Sequence, residues 1–209
     1  MKSEAFDSID KAYTFVKSDL DHIQVDKEGH SLKKMSILYA SNASGKTRLS
    51  KTFYDKHEAE VLYYSAFTED LFSWDNENCI LKFDVKSEIL RFIDAQGLDR
   101  QVIDKFQNFI GSKLQPTFFF KKGEITFGIG SGDDSATEQI KISRGEESVF
   151  IWSIFSTYLN NAIETLNEKE EARTSDVFNQ IRYVIIDDPV SSIDDSKIIS
   201  IALDIEIVR

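Results

Sequence analysis

A short apolar stretch that leads into a loop of small residues constrains the fold of this chain more than any other feature. Residues 34–40 are apolar enough for a short buried strand, and residues 48–57 have the composition of a helix. Between them stands the run Ala40-Ser-Asn-Ala-Ser-Gly-Lys-Thr47. It fits the Walker A pattern of a phosphate-binding loop, except that Ala40 replaces the first glycine. This order predicts an α/β fold with a mainly parallel sheet covered by helices.

The residues of this loop have separate expected roles. Backbone N–H groups at a helix N-terminus surround phosphates, and a lysine such as Lys46 reaches the terminal ones. Thr47 is expected to give its hydroxyl to Mg²⁺. The predicted nucleotide-binding residues are Ser41, Asn42, Ala43, Ser44, Gly45, Lys46, Thr47 and Arg48. Taken alone, the run also fits an ordinary Ser/Gly turn that caps a helix.

A second candidate for phosphate chemistry lies late in the chain. Residues 182–186 form a strongly apolar predicted strand that ends in Asp187-Asp188-Pro189. A Walker B strand of this kind delivers a carboxylate to the metal, so Asp187 is a predicted Mg²⁺ ligand. Asp188 takes the place where a Glu usually polarises the attacking water, and it is the predicted catalytic residue. A strand that ends in a polar turn is the alternative interpretation.

Two further segments extend this set of motifs. Ile142-Ser-Arg-Gly-Glu-Glu147, before a helix predicted at roughly 146–167, resembles the signature segment of ABC-type ATPases, usually Leu-Ser-Gly-Gly-Gln. Ser143 and Glu146 also fit a capping box, and both interpretations can hold at once. Ser191, Ser192 and Asp194 resemble the D-loop of the same class.

The resemblance to ABC-type ATPases implies a P-loop NTPase domain over residues 1–209, with a helical insertion at roughly 86–114. It also implies a homodimer that forms on nucleotide binding, because the signature segment caps the phosphate held by the opposite subunit. The residues expected to act in trans are Ser143, Arg144, Gly145 and Glu146.

The segment Leu62–Asn76 carries a closer resemblance, to the PrrC-type anticodon nucleases of bacteria. Its aromatic-rich sequence looks like the box characteristic of that family, and Tyr39–Ser50, Lys141–Phe155 and Tyr183–Asp195 are also similar. The resemblance implies an ABC-type NTPase, using Mg²⁺ with ATP or GTP and with dTTP as a candidate effector. In that family the NTPase domain regulates a C-terminal ribonuclease that cuts lysine tRNA. A type I restriction–modification complex as partner and a role in antiphage defence are implied in the same way.

The sequence departs from the ABC pattern in several places. The Q-loop glutamine is not apparent, and Ser65, Thr68 or Glu69 stands near its position. No switch histidine follows the D-loop segment. The nuclease domain would lie beyond residue 209, so tRNA is expected to contact that domain alone and RNA cleavage is not expected from these residues.

Two other functions stay open beside a hydrolysing regulatory ATPase. Asp188 in place of Glu favours a nucleotide-sensing module with little turnover. A DNA-repair ABC ATPase of the RecF or SMC kind is the remoter alternative, because no long heptad region interrupts the chain.

Composition narrows the function classes further. The formal net charge of −11 disfavours nucleic-acid binding by this chain. Cys79 is the only cysteine, which excludes internal disulfides and a cysteine-cluster zinc site. No apolar run reaches about 18 residues and the start has no apolar signal-peptide core, so a cytoplasmic protein without a membrane segment is expected.

Other elements follow from periodicity and turn residues. A helix is expected within residues 1–20 and a strand at 61–64. Residues 86–114 should be mostly helical with breaks at Gly97 and Gly111, and residues 116–120 and 124–129 should form a hairpin.

Overall fold

The computed structural model describes residues 5–22, 24–25, 31–32, 36–41, 43–65, 71–129, 139–173 and 175–188, together with Ile201 and Asp204. These residues belong to two compact units. The first contains the described residues up to Tyr63 together with Gln180–Asp187. The second contains Tyr64–Asn179, Asp188, Ile201 and Asp204.

The first unit is an α/β arrangement with a parallel pair of strands. Its elements are α1 (Ile9–Asp21), β1 (Gln24–Val25), β2 (Ser31–Leu32), α2 (Lys46–His57), β3 (Val61–Tyr64, of which the last residue belongs to the second unit) and β8 (Tyr183–Ile186). β1 pairs with β2 in antiparallel fashion, and β3 pairs with β8. Arg182 N–H donates to the Glu60 carbonyl at 2.8 Å immediately before these last two strands, so both leave the same end and run parallel. This organisation is compatible with a P-loop fold.

A small apolar core holds the first unit together. Val16 of α1, Phe53 of α2 and Val61 of β3 are buried against one another. Tyr13 and Tyr183 pack on Phe53, with ring centroids 5.5 and 5.1 Å away. The core therefore ties the helix that follows the loop directly to the parallel strands.

The buried strand expected at residues 34–40 is wrong over its described part. Residues 36–40 have no strand assignment, and Ile37 and Tyr39 are 79% and 90% exposed. Apolar composition alone does not make a strand, because strand hydrogen bonds need a neighbour; among the described residues this stretch pairs with none. Ser36 Oγ in this stretch donates a hydrogen bond to the Asp19 carboxylate at 2.9 Å.

The second unit combines an antiparallel sheet with three helices. The strands are β4 (Phe72–Asp75), β5 (Ile80–Phe83), β6 (Leu114–Phe119) and β7 (Glu124–Ile129), in the order β4-β5-β7-β6. The helices are α3 (Glu88–Gln96), α4 (Asp99–Ile110) and α5 (Arg144–Asn167). Short 3₁₀ turns occur at Glu58–Glu60 in the first unit and at Phe120–Lys122 and Glu170–Ala172 in the second.

The helix α5 is the centre of this unit. Its residues 148–159 are all buried, which is typical of a helix surrounded by protein. Phe150 meets Phe106 and Phe127 edge to face, with centroids 5.1 and 5.0 Å apart. The hydroxyls of Ser153 and Thr157 each donate a hydrogen bond to the backbone carbonyl four residues earlier. These two buried hydroxyl donors are therefore paired.

Most of the element predictions are confirmed. The helices after the loop and after the signature segment, the strands at 61–64 and 183–186, the hairpin β6–β7 and the helix breaks at Gly97 and Gly111 are present. Among the described residues the parallel part of the fold is the pair β3–β8, and the separate antiparallel sheet with its hairpin β4–β5 was not predicted. In the part of the chain that the structure describes, no helix combines the length and apolarity needed to cross a membrane.

Candidate functional site

The loop before α2 has a backbone shaped by two residues with positive φ. Ala43 has φ +63° and Gly45 has φ +98°, and the Ser44 N–H closes a turn on the Ser41 carbonyl at 3.2 Å. Left-handed residues between ordinary ones turn successive N–H groups toward one side and create an anion-binding concavity. A Cβ on Gly45 would come within 3.2 Å of Ile9 Cδ1, so glycine also suits the close approach of α1.

The N-terminus of α2 is open to an external partner. Gly45 is its N-cap, and no side-chain hydrogen bond caps it. The first N–H groups of a helix lack intrahelical partners and carry the positive end of its dipole. The Lys46 ammonium lies across the loop, 2.6 Å from the Ala40 carbonyl and 3.3 Å from that of Ser41. The first N–H groups of α2 therefore have no side-chain acceptor, and the Lys46 ammonium lies against the carbonyls of the preceding loop.

Asp187 is brought to this helix by a serine that the sequence analysis did not single out. It follows β8, is only 8% exposed and accepts a 2.9 Å hydrogen bond from Ser50 Oγ. Ser50 also lies 3.2 Å from the Tyr63 hydroxyl. The sequence could have identified Ser50, because it stands four residues after Lys46 and so shares the same helix face.

Oxygen donors of the kind that Mg²⁺ prefers are found on α2 and after β8. Mg²⁺ takes oxygen ligands, keeps several waters and is held in proteins by one or two carboxylates together with phosphates. Thr47 offers a hydroxyl one helical turn before Ser50, and Asp187 offers the carboxylate. Among the described residues no three His, Cys, Asp or Glu side chains form a cluster that would hold a metal alone. The donor set thus fits a cation that arrives with a phosphate ligand.

Asp188 differs from its neighbour in exposure and in backbone conformation. It is exposed and has φ +54°, a region that Asp enters more easily than most residues but still at a cost. The two adjacent carboxylates thus differ, since Asp187 is buried and Asp188 is exposed.

The signature segment begins α5 with a complete capping box. Ser143 Oγ accepts the Glu146 N–H at 3.3 Å, and the Glu146 carboxylate accepts the Ser143 N–H at 2.7 Å. Ser143 and Arg144 are exposed, and Gly145 and Glu146 are half-buried. The capping-box interpretation is confirmed, and the phosphate-capping role in trans stays a prediction.

Several predicted residues lie outside the described part of the chain. They are Asn42 of the loop, the D-loop residues Ser191, Ser192 and Asp194, and the Q-loop candidates Thr68 and Glu69. The third Q-loop candidate, Ser65, is described and 1% exposed. Arg48 is exposed in the first turn of α2.

The described fold is α/β with helices and a parallel strand pair, which defines a class compatible with P-loop proteins. No protein-family model matches the chain, and no solved structure matches it significantly. The chain is similar to the anticodon nuclease of Escherichia coli, with 38% identity over 203 residues that cover 84% of this chain. The chain spans about half, 51%, of the length of that relative.

Proposed function

We propose that this chain is the nucleotide-binding and nucleotide-hydrolysing regulatory region of an anticodon nuclease that cleaves lysine tRNA in antiphage defence. The single observation that carries the nucleotide site is the pairing of Asp187 with Ser50 of α2. It places the end of β8 beside the helix that begins at the loop of Lys46. A cation site and a phosphate site thereby share one helix.

The chemistry assigned to the site follows from these positions. The N–H groups of the loop and the Lys46 ammonium would neutralise the phosphates. Thr47 and Asp187 would hold Mg²⁺, which would offset the phosphate charge during hydrolysis. Ser50 keeps the Asp187 carboxylate oriented by its hydrogen bond. Asp188 accepts the proton of the attacking water, which makes it the general base for hydrolysis of ATP or GTP.

The dimer is part of the same proposal. Ser143 at the start of α5 meets the terminal phosphate held by a second copy, so two nucleotides lie between two chains. Mg-nucleotide then favours the dimer because it contacts both copies only in the closed state. The relative's name supports the tRNA nuclease context, and the partner proposed for latency is a type I restriction–modification complex.

A sensing module with little turnover is the second candidate function. The observation that favours it is Asp188, whose carboxylate is one methylene shorter than the Glu of most ABC-type ATPases. A shorter arm lengthens the distance to the attacking water and lowers the rate while leaving phosphate binding in place.

Nucleotide titrations and phosphate-release assays separate the two candidates. ATP, GTP and dTTP are titrated into the protein with and without Mg²⁺, and turnover is measured at saturation. Mg²⁺-dependent binding with turnover supports the hydrolysing region, and binding without turnover supports the sensing module. Absence of binding for all three nucleotides contradicts both.

A further inference from the structure

The end of the aromatic-rich box Leu62–Asn76 contacts the signature segment. The Trp74 indole N–H, at the end of β4, donates to the Glu147 carboxylate at 2.8 Å. The Lys141 ammonium donates to the Asn76 side-chain carbonyl at 2.5 Å and lies 5.9 Å from the centre of the Trp74 ring. Both pairs join residues of the second unit.

These contacts involve residues on both sides of Ser143 in the signature segment. Lys141 precedes the helix N-cap Ser143 by two residues, and Glu147 follows it by four. Trp74 also packs against Phe127 of β7, with ring centroids 5.9 Å apart. The approach to the segment is fixed as well, since the Ile140 N–H donates to the Phe127 carbonyl at 2.9 Å.

We propose that Trp74 and Asn76 are positioning residues that set the orientation of the signature turn toward an incoming phosphate. This inference rests on the proposed function, in which Ser143 meets the nucleotide of a second copy. Neither residue touches the nucleotide in this account. Both residues act at the start of α5. The Trp74 indole bonds the Glu147 carboxylate after the turn, and the Lys141 ammonium before the turn bonds Asn76 and lies over the indole.

Three substitutions remove or preserve these contacts one at a time. Trp74→Phe removes the indole N–H but keeps an aromatic ring against Phe127. Asn76→Ala removes the acceptor for Lys141 at an exposed position, so the fold tolerates it, and Asn76→Asp keeps an acceptor. Lys82→Met is the matched control, because Lys82 bonds Asp75 of the same hairpin at 2.8 Å rather than a residue of the signature segment.

The expected result is a selective loss of the dimer. With saturating Mg-nucleotide, Trp74→Phe and Asn76→Ala should weaken dimerisation at least tenfold, equivalent to about 1.4 kcal/mol. Asn76→Asp and Lys82→Met should stay within about twofold of the wild type. Nucleotide affinity of the single chain should be unchanged in all four. Dimerisation equal to wild type in both Trp74→Phe and Asn76→Ala overturns the inference and leaves the proposed function standing.

Amide hydrogen exchange tests, without any nucleotide, whether the Trp74 and Asn76 contacts hold the signature segment. Trp74→Phe should raise exchange at residues 143–147 at least tenfold, with no change in α2 of the first unit. Unchanged exchange at 143–147 overturns the inference by itself. If the wild type binds nucleotide but never dimerises, the proposed dimer is wrong. The positioning role of Trp74 and Asn76 is then wrong as well.

Discussion

The N-termini of α2 and α5 are both expected to meet phosphates, and they are built in opposite ways. At α2 the cap is Gly45 in a left-handed conformation, without a side-chain hydrogen bond. At α5 the cap is Ser143, and the Glu146 carboxylate already accepts its N–H. The first terminus has no side-chain acceptor for its donors, whereas the second carries an anion of its own.

Because of this difference, the N-termini of α2 and α5 should contribute different amounts to the free energy of nucleotide binding. Lys46 adds a cation to the open terminus, so α2 should supply the affinity of a single chain for nucleotide. Glu146 partly neutralises the dipole of α5, so the signature turn should add a smaller increment that appears only in the dimer. The comparison predicts that changes near α2 and β8 act on binding and turnover, and that changes near α5 act on assembly.

Asp188→Asn should give the largest effect. Loss of the general base should lower turnover by roughly 100-fold or more while Mg-nucleotide binding stays close to wild type. Phosphate release and calorimetry on the same preparation measure the two quantities.

Asp187→Asn is the matched variant for that experiment. It should weaken the Mg²⁺-dependent part of binding, because Asp187 is the predicted metal ligand held by Ser50. If the two adjacent variants lose the same property, the separate roles of the two carboxylates are wrong.

Ser143→Arg should block assembly and leave single-chain binding intact. A bulky cation at the exposed N-cap fills the space where the second copy's phosphate approaches and breaks the capping box. Light scattering with a slowly hydrolysed nucleotide should show at least a tenfold weaker dimer than the wild type. Ser143→Asn preserves an N-cap acceptor and serves as the control for helix stability.

Glu146→Gln sharpens the comparison in the opposite direction. The amide keeps the capping box but removes the negative charge from the N-terminus of α5. Nucleotide-linked dimerisation should become severalfold tighter, with the melting temperature nearly unchanged. A weaker dimer at unchanged stability would show that the Glu146 charge helps assembly rather than opposing it.

The smallest effect concerns the start of β8, opposite the end that bears Asp187. Lys17 donates to Asp21 and to the Tyr183 hydroxyl, and these bonds raise the pKa of Lys17 above 10.5 and lower the pKa of Asp21 below 3.8. The Asp21 share of stability is present above pH 3.8 and is lost as pH falls through the lowered value. The Lys17 share is present below pH 10.5 and is lost as pH rises through the raised value.

Lys17→Met should therefore lower the free energy of unfolding by under about 1 kcal/mol near neutral pH, because these groups are partly exposed. The difference from wild type should shrink toward both pH extremes, and nucleotide affinity should not change. Urea unfolding at several pH values measures it; a constant difference at every pH would remove the ion pair as its cause.

The sequence predicted features that depend on local chemistry. The capping box at Ser143 and Glu146, the helix after the loop and the short strand before Asp187 are all set by residues close together in the chain. It failed where pairing between distant segments decides. The exposed stretch 36–40 and the bond from Ser50 to Asp187, 137 residues apart, depend on tertiary contacts that periodicity does not contain. The hairpin β4–β5 was also missed, although its two strands lie close together in the chain.

Calorimetric titration of Mg-ATP into the wild type and Lys46→Ala tests the central claim most directly. Lys56→Ala is the matched control, because it removes a lysine from the last turn of the same helix, where it bonds Asp10. Lys46→Ala should abolish tight binding without a change in fold by circular dichroism, and Lys56→Ala should bind as the wild type does. Equal affinity of the wild type and Lys46→Ala would contradict the phosphate site at the start of α2.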